Sequence, residues 1–188
     1  MEENIIRATI DALLSVRHPR FFQNERGYHG RFYCFLQGEL EKYGFLQGND
    51  IIEMEYQKSQ RHNLRQRPDI IFHIPAEVSK ASVTENNYAV WALKPDANAE
   101  SAKDDFQKLD QMFATLHYPL GVFINIRSEI HHFCTYSGPH VERLHAFAVA
   151  LQTSPRRHLC LRGSMPCYIN RGSSHTGIYT EVLHRVTP

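Results

Sequence analysis

The chain has 188 residues and a mass of 21.8 kDa, room for one compact core with at most a short appendage. Its 21 Lys and Arg balance 20 Asp and Glu, so no global field attracts a polyanion and any nucleic-acid contact has to rest on local clusters. Hydrophobic residues make up 42% of the chain and aromatic residues 11%, which excludes disorder over most of its length.

The N-terminus, MEENIIRATIDALLS, starts acidic and places apolar residues at helical spacing, unlike a signal peptide. No apolar run approaches the length of a membrane span. Cys34, Cys134, Cys160 and Cys167 show no CxxC pairing, so reduced thiols and a cytoplasmic location are expected.

Ile5, Ile6, Ile10, Leu13 and Leu14 recur at helical intervals after Asn4, a competent N-cap, and predict a helix over residues 4 to 16. His18-Pro19 ends it. Tyr28, Phe32, Phe35, Leu36, Leu40 and Tyr43 predict a second helix from about 27 to 43, stopped by Gly44, with Glu25 just before it or in its first turn. The period then changes. IIEMEY at 51 to 56, DIIFHI at 69 to 74 and YAVWALK at 88 to 94 read as three consecutive antiparallel strands.

Ser101 and Asp104 form a capping-box-like pair ahead of Phe106, Leu109, Phe113 and Leu116, predicting a helix over about 101 to 117. LGVFINI at 120 to 126 reads as a buried strand, and IHHFCT at 130 to 135 as its hairpin partner. Val141, Leu144, Phe147, Ala148 and Leu151 suggest a last helix. Residues 153 to 188, rich in Ser, Arg, Gly, Pro and His, are expected to form a loop-rich extension. The order of elements describes a sheet with helices on both sides, an α/β sandwich.

Asp69 opens one strand and Lys94 ends the next, so a hairpin brings the two to one edge of the sheet. Positions 92 and 94 share a face by the two-residue alternation of a strand, while Trp91 and Leu93 face the other way. An acid, a third side chain and an amine on one wall are the parts of a hard-cation site with a water-orienting lysine. Mg²⁺ prefers oxygen ligands and keeps several waters, and Ala92 offers it no side-chain oxygen.

The strings NERGYHGRF, IEMEYQK, RPDIIFHI, YAVWALK and DDFQKL, in that order over about residues 20 to 126, resemble the PD-(D/E)XK, or restriction-endonuclease-like, nuclease superfamily. The resemblance implies a restriction-endonuclease-like core over residues 1 to 152, with a mixed central β-sheet flanked by helices. It assigns the catalytic positions to Glu25, Asp69, Ala92 and Lys94, with Ala92 where a glutamate is expected. Mg²⁺ or Mn²⁺ would be held by Asp69, Glu25 and the backbone of Leu93, and Lys94 would position the attacking water. Glu39 is a rival to Glu25 on the same helix, and Glu53 and Glu55 are either contributors near the cleft or a solvated strand edge.

Two accounts of Ala92 compete: a glutamate replaced to trap an inactive protein, or a natural loss that leaves a binding module. Survival of Asp69 and Lys94 favours the first. The implied activity is metal-dependent hydrolysis of DNA phosphodiesters, duplex DNA above all, in anti-phage defence or a mobile element. A homodimer follows from the need to cut two strands, and the C-terminal extension is a candidate dock for a protein partner. Phosphate contacts are expected from Lys58, Arg61, Arg65 and Arg67 in the connection before Asp69, and from His29 one turn after Glu25.

Overall fold

The computed structural model describes residues 1–54, 68–75, 77–79, 86–151, 159–166 and 179–185, the last two stretches as main chain. Among them no helix is long and apolar enough to cross a membrane. The first helix, α1, spans Glu2–Ser15, so Asn4 lies inside it rather than capping it. A short 3-10 turn at Pro19–Gln23 leads to α2, Glu25–Lys42. There Asn24 is the true N-cap, its side chain accepting from the Gly27 amide at 3.3 Å, and this holds Glu25 in the first turn.

Three antiparallel strands follow, β1 (Ile51–Met54), β2 (Ile70–His73) and β3 (Asn87–Pro95). Helix α3, Ala99–Leu116, crosses over to β4, Leu120–Ile126, which pairs parallel to β3. A parallel pair requires such a crossover, since a tight turn reverses the chain. β5, Leu144–Leu151, lies parallel to β4, and β6 (Leu159–Pro166) and β7 (Tyr179–Arg185) complete a seven-stranded sheet in sequence order.

Three expectations are corrected here. Residues 130 to 135 form no hairpin strand. They hold a 3-10 turn at Phe133–Thr135, and the loop after it is tied to α3 where the Tyr136 hydroxyl donates to Asp110 at 2.5 Å. The expected helix beginning near Val141 is strand β5 after a short 3-10 turn. Both faces of β5 are buried through Val149, so its apolar run loses the alternation that marks a half-exposed strand. The extension expected to be loop-rich supplies β6 and β7.

Two cores sandwich the sheet. On one face Trp91, Leu93, Val122, Ile124 and Phe147 pack against α1 and α2. The Trp91 indole donates to the buried Thr9 hydroxyl at 3.1 Å, which satisfies a polar atom that burial would otherwise penalise. On the other face Val90, Phe123, Leu144 and Ala146 meet Phe106, Leu109, Met112 and Phe113 of α3. α3 comes close because β4 begins Leu120-Gly121: a Cβ at Gly121 would lie 2.4 Å from the Phe113 ring.

Gly121→Ala is therefore expected to cost about 1–3 kcal/mol through overpacking, read from urea unfolding monitored by Trp91. A second prediction concerns acid. Burial lowers the His145 imidazole on β5 from 6.5 to about 4, so the unfolded chain binds the proton first. Stability is complete above pH 6.5 and falls between there and about 4, by about 3 kcal/mol in all. His145→Leu should remove that part of the pH dependence in a series of thermal melts.

Candidate metal-dependent active site

Asp69 stands one residue before β2. Continuing the pairing of Ile70 with Trp91 by one step sets Asp69 opposite Ala92 on the α3 face. The Leu93 amide donates to Asp69 Oδ2 at 2.7 Å. In a strand the amide and carbonyl of one residue point the same way, so the Leu93 carbonyl also faces this edge, where β2 has ended. The Leu93 side chain is buried in the opposite core, leaving its backbone as the only part that can serve a cation.

Lys94 follows on the same face as Ala92, exposed and without a carboxylate partner within ion-pair distance among the described residues. The turn beyond it is fixed by the fully buried Asn125 of β4. Its carboxamide accepts from the Ala97 amide at 2.9 Å and donates to the Ala97 carbonyl at 3.1 Å. Asp96 and Arg127, both in the left-handed region, pair across the same turn, and Arg127 also donates to the Phe22 carbonyl at 3.1 Å. The turn ahead of Glu25 is thereby tied to the ends of β3 and β4.

Asn98 then caps α3. Its side chain accepts from the Ser101 amide at 2.9 Å, and Ser101 Oγ accepts from the Asn98 amide at 3.1 Å, a reciprocal capping box three residues earlier than the Ser101-Asp104 pair expected. That start sets the rotation of the helix. Asp105 and Lys108 consequently face the end of β3.

Glu25, Asp69, Ala92, Leu93 and Lys94 line one cavity of about 150 Å³, together with Pro68, Asp105, Lys108, Leu109 and Met112. Burial is the main cause that holds the Asp69 carboxyl above the usual carboxylate range. The Leu93 hydrogen bond and the His29 ring act in the opposite sense, while the charges of Asp105 and Glu25 add to the rise. His29, expected to meet a phosphate, is buried at 6% exposure. Its Nε2 has no hydrogen-bond partner among the described residues and lies 4.0 Å from Glu25 Oε1.

Glu39, the rival to Glu25, lies outside this cavity and pairs with Lys42 at 2.7 Å. Glu53 hydrogen-bonds His73 Nε2 at 2.7 Å across the sheet, an edge contact rather than a wall of the cavity. Lys58, Arg61, Arg65, Arg67 and Glu55 lie outside the described residues. Asp105 was not anticipated as a member of the site. Its signal was available: Ala102, Asp105, Phe106 and Leu109 share the buried face of an amphipathic helix, where a carboxylate costs stability without a compensating role or partner.

A divalent cation fits these walls in one respect and is short of a ligand in another. Asp69 uses one oxygen for the Leu93 amide and keeps the second for another partner, and a carbonyl faces the same space. Yet among the described residues no three His, Cys, Asp or Glu side chains stand close enough to hold a metal ion directly. The donor set suits an ion that keeps several waters and takes one or two carboxylates, as Mg²⁺ does.

The order of α2, antiparallel β1 to β3, crossover helix α3 and parallel β4 defines an α/β sandwich with a mixed central sheet. No protein-family model and no curated protein matched the sequence. Among solved structures the chain is similar to NucC of P. aeruginosa ATCC27853 in its cAAA-bound form, with a TM-score of 0.47 and 14% identity over 97% of this chain and 80% of that one.

Because folding raises the Asp69 value, ionising this group works against the folded state. Its contribution to stability is complete below the ordinary carboxylate value and is lost as pH rises through the raised one. Asp69→Asn should accordingly raise the melting temperature of the metal-free protein at pH 7, and the gain should vanish at pH 3.5. Calorimetry in EDTA at the two pH values checks both halves.

Proposed function

We propose that this chain is built as a metal-dependent nuclease that hydrolyses DNA phosphodiesters. The observation that supports it most is the meeting of Glu25, Asp69 and Lys94, from three separate elements, in one cavity beside the Leu93 backbone. Two carboxylates and an amine that has no ion-pair partner among the described residues, at a strand edge, suit a reaction in which water attacks phosphorus.

Each side chain has a separate task. Asp69, oriented by the Leu93 amide, and Glu25, fixed by the Asn24 cap, would hold Mg²⁺ or Mn²⁺ together with the Leu93 carbonyl. When bound, the cation lowers the pKa of a water and offsets charge that builds on the phosphate. Lys94, exposed at the mouth, hydrogen-bonds the attacking water or a phosphate oxygen and sets its line of approach. Duplex DNA, a second copy of the chain to cut the second strand, and a role in host defence or a mobile element belong to the same proposal.

Ala92 favours one other reading, a non-catalytic module that keeps the cleft and binds nucleic acid or a protein without cutting. The two separate in a cleavage assay on duplex and single-stranded DNA with Mg²⁺, Mn²⁺ or EDTA, comparing this chain with Ala92→Glu. The nuclease reading expects cation-dependent cutting that is stronger with Glu at 92. Within the Glu background, Asp69→Asn and Lys94→Ala should each lower the rate by on the order of 100-fold or more. Absence of cation-dependent cutting by either form sinks the nuclease reading, and binding without cutting establishes the module.

A further inference from the structure

Ala92 removes a carboxylate from the strand wall, but a different element faces the same space. α3 crosses over the end of β3, and its Asp105, at 8% exposure, is the one buried Asp, Glu, Lys or Arg among the described residues. It lines the cavity with Asp69, Ala92 and Lys94. A buried carboxylate on the apolar face of a helix is costly unless it is paired or serves a ligand.

Its partner, Lys108 one turn on, donates to Asp105 Oδ1 at 2.6 Å. That lysine is half exposed, so it can swing into water when another cation takes its place. The other oxygen of Asp105 makes no hydrogen bond among the described residues. An alanine at 92 leaves the intervening space open, where a glutamate would put its own carboxylate between Asp69 and Asp105.

An independent feature beside Glu25, just outside the residues that line the cavity, points to a ligand. His29 is more than nine-tenths buried, and its Nε2 has no hydrogen-bond partner among the described residues while it lies 4.0 Å from the Glu25 carboxylate. Such an orphan is rare in a folded protein and is usually resolved by a water or an ion. A cation between Asp69 and Asp105 that retains its waters would present one towards Glu25 and His29.

Resting on the nuclease reading for the nature of the site, we infer that Asp105 of α3 takes over the cation-binding carboxylate missing at position 92. The chain then binds Mg²⁺ or Mn²⁺ as it stands, with Asp69 and Asp105 as the principal carboxylates. Lys108 acts as the counter-ion of Asp105 in the metal-free protein and is displaced on binding.

The test measures Mn²⁺ binding directly, by electron paramagnetic resonance of free Mn²⁺ and by calorimetry, in four chains: the parent, Asp105→Asn, Ala92→Glu, and the double variant. Circular dichroism confirms that each is folded. Expected are binding of Mn²⁺ by the parent, a loss of about tenfold or more in affinity for Asp105→Asn, and a loss of about threefold or less for the same change when Glu is present at 92, since the two carboxylates then duplicate each other. Lys108→Met should bind Mn²⁺ more tightly than the parent. An Asp105→Asn chain that binds as the parent does overturns the inference, and so does an equal loss in both backgrounds. A parent that binds no Mn²⁺ also overturns it, while binding and cutting by Ala92→Glu would leave the nuclease reading intact. Conversely, Asp105-dependent Mn²⁺ binding without cutting by any form upholds the role of Asp105 and removes the nuclease.

Discussion

The parallel pairing of β3 with β4 is the constraint from which the site follows. It forces a crossover, the crossover is α3, and α3 returns across the end of β3 where Ala92 and Lys94 emerge. The Asn125 carboxamide holds the backbone at the start of that path, and the Asn98 cap fixes the rotation of the helix. An antiparallel hairpin at the same place would leave the cavity without its roof. Glu25 arrives from the opposite layer and is held by its own cap and by the Arg127 contact to Phe22.

Electrostatics at this point oppose the fold. Three carboxylates share a partly dry cavity whose described cations are Lys94, unpaired, and Lys108, already engaged. Burial and like charges make Asp69 reluctant to ionise. A cation among these carboxylates would relieve their mutual repulsion, and the backbone of Leu93 keeps Asp69 in place meanwhile. Stability given up in this corner is offset elsewhere, by two apolar cores that cover both faces of the sheet.

Much of this was legible in the residues, for reasons that differ by element. Strand β4 was read at its observed bounds because LGVFINI is a short apolar run between turn residues. β5 was misread because Leu144, Phe147, Ala148 and Leu151 satisfy helical spacing as well, and a strand buried on both faces carries no alternation to contradict it. That Asp69 and Lys94 share one cavity was legible because strand period and hairpin geometry are local. The amphipathic pattern of α3 does put Asp105 on its apolar face, but which strand end that face meets depends on how the crossover lands, a tertiary fact.

The strand order β1 to β7 follows the chain without a single exchange. Every strand therefore finds its partner in the strand just before or just after it in the chain, the longest connection being the α3 crossover from β3 to β4. All the residues of the cavity lie between Glu25 and Met112, and the β4 edge that braces them ends at Ile126. During synthesis every residue that lines the cleft thus leaves the ribosome before β5, whose Leu144, Ala146 and Phe147 then complete the two cores around it.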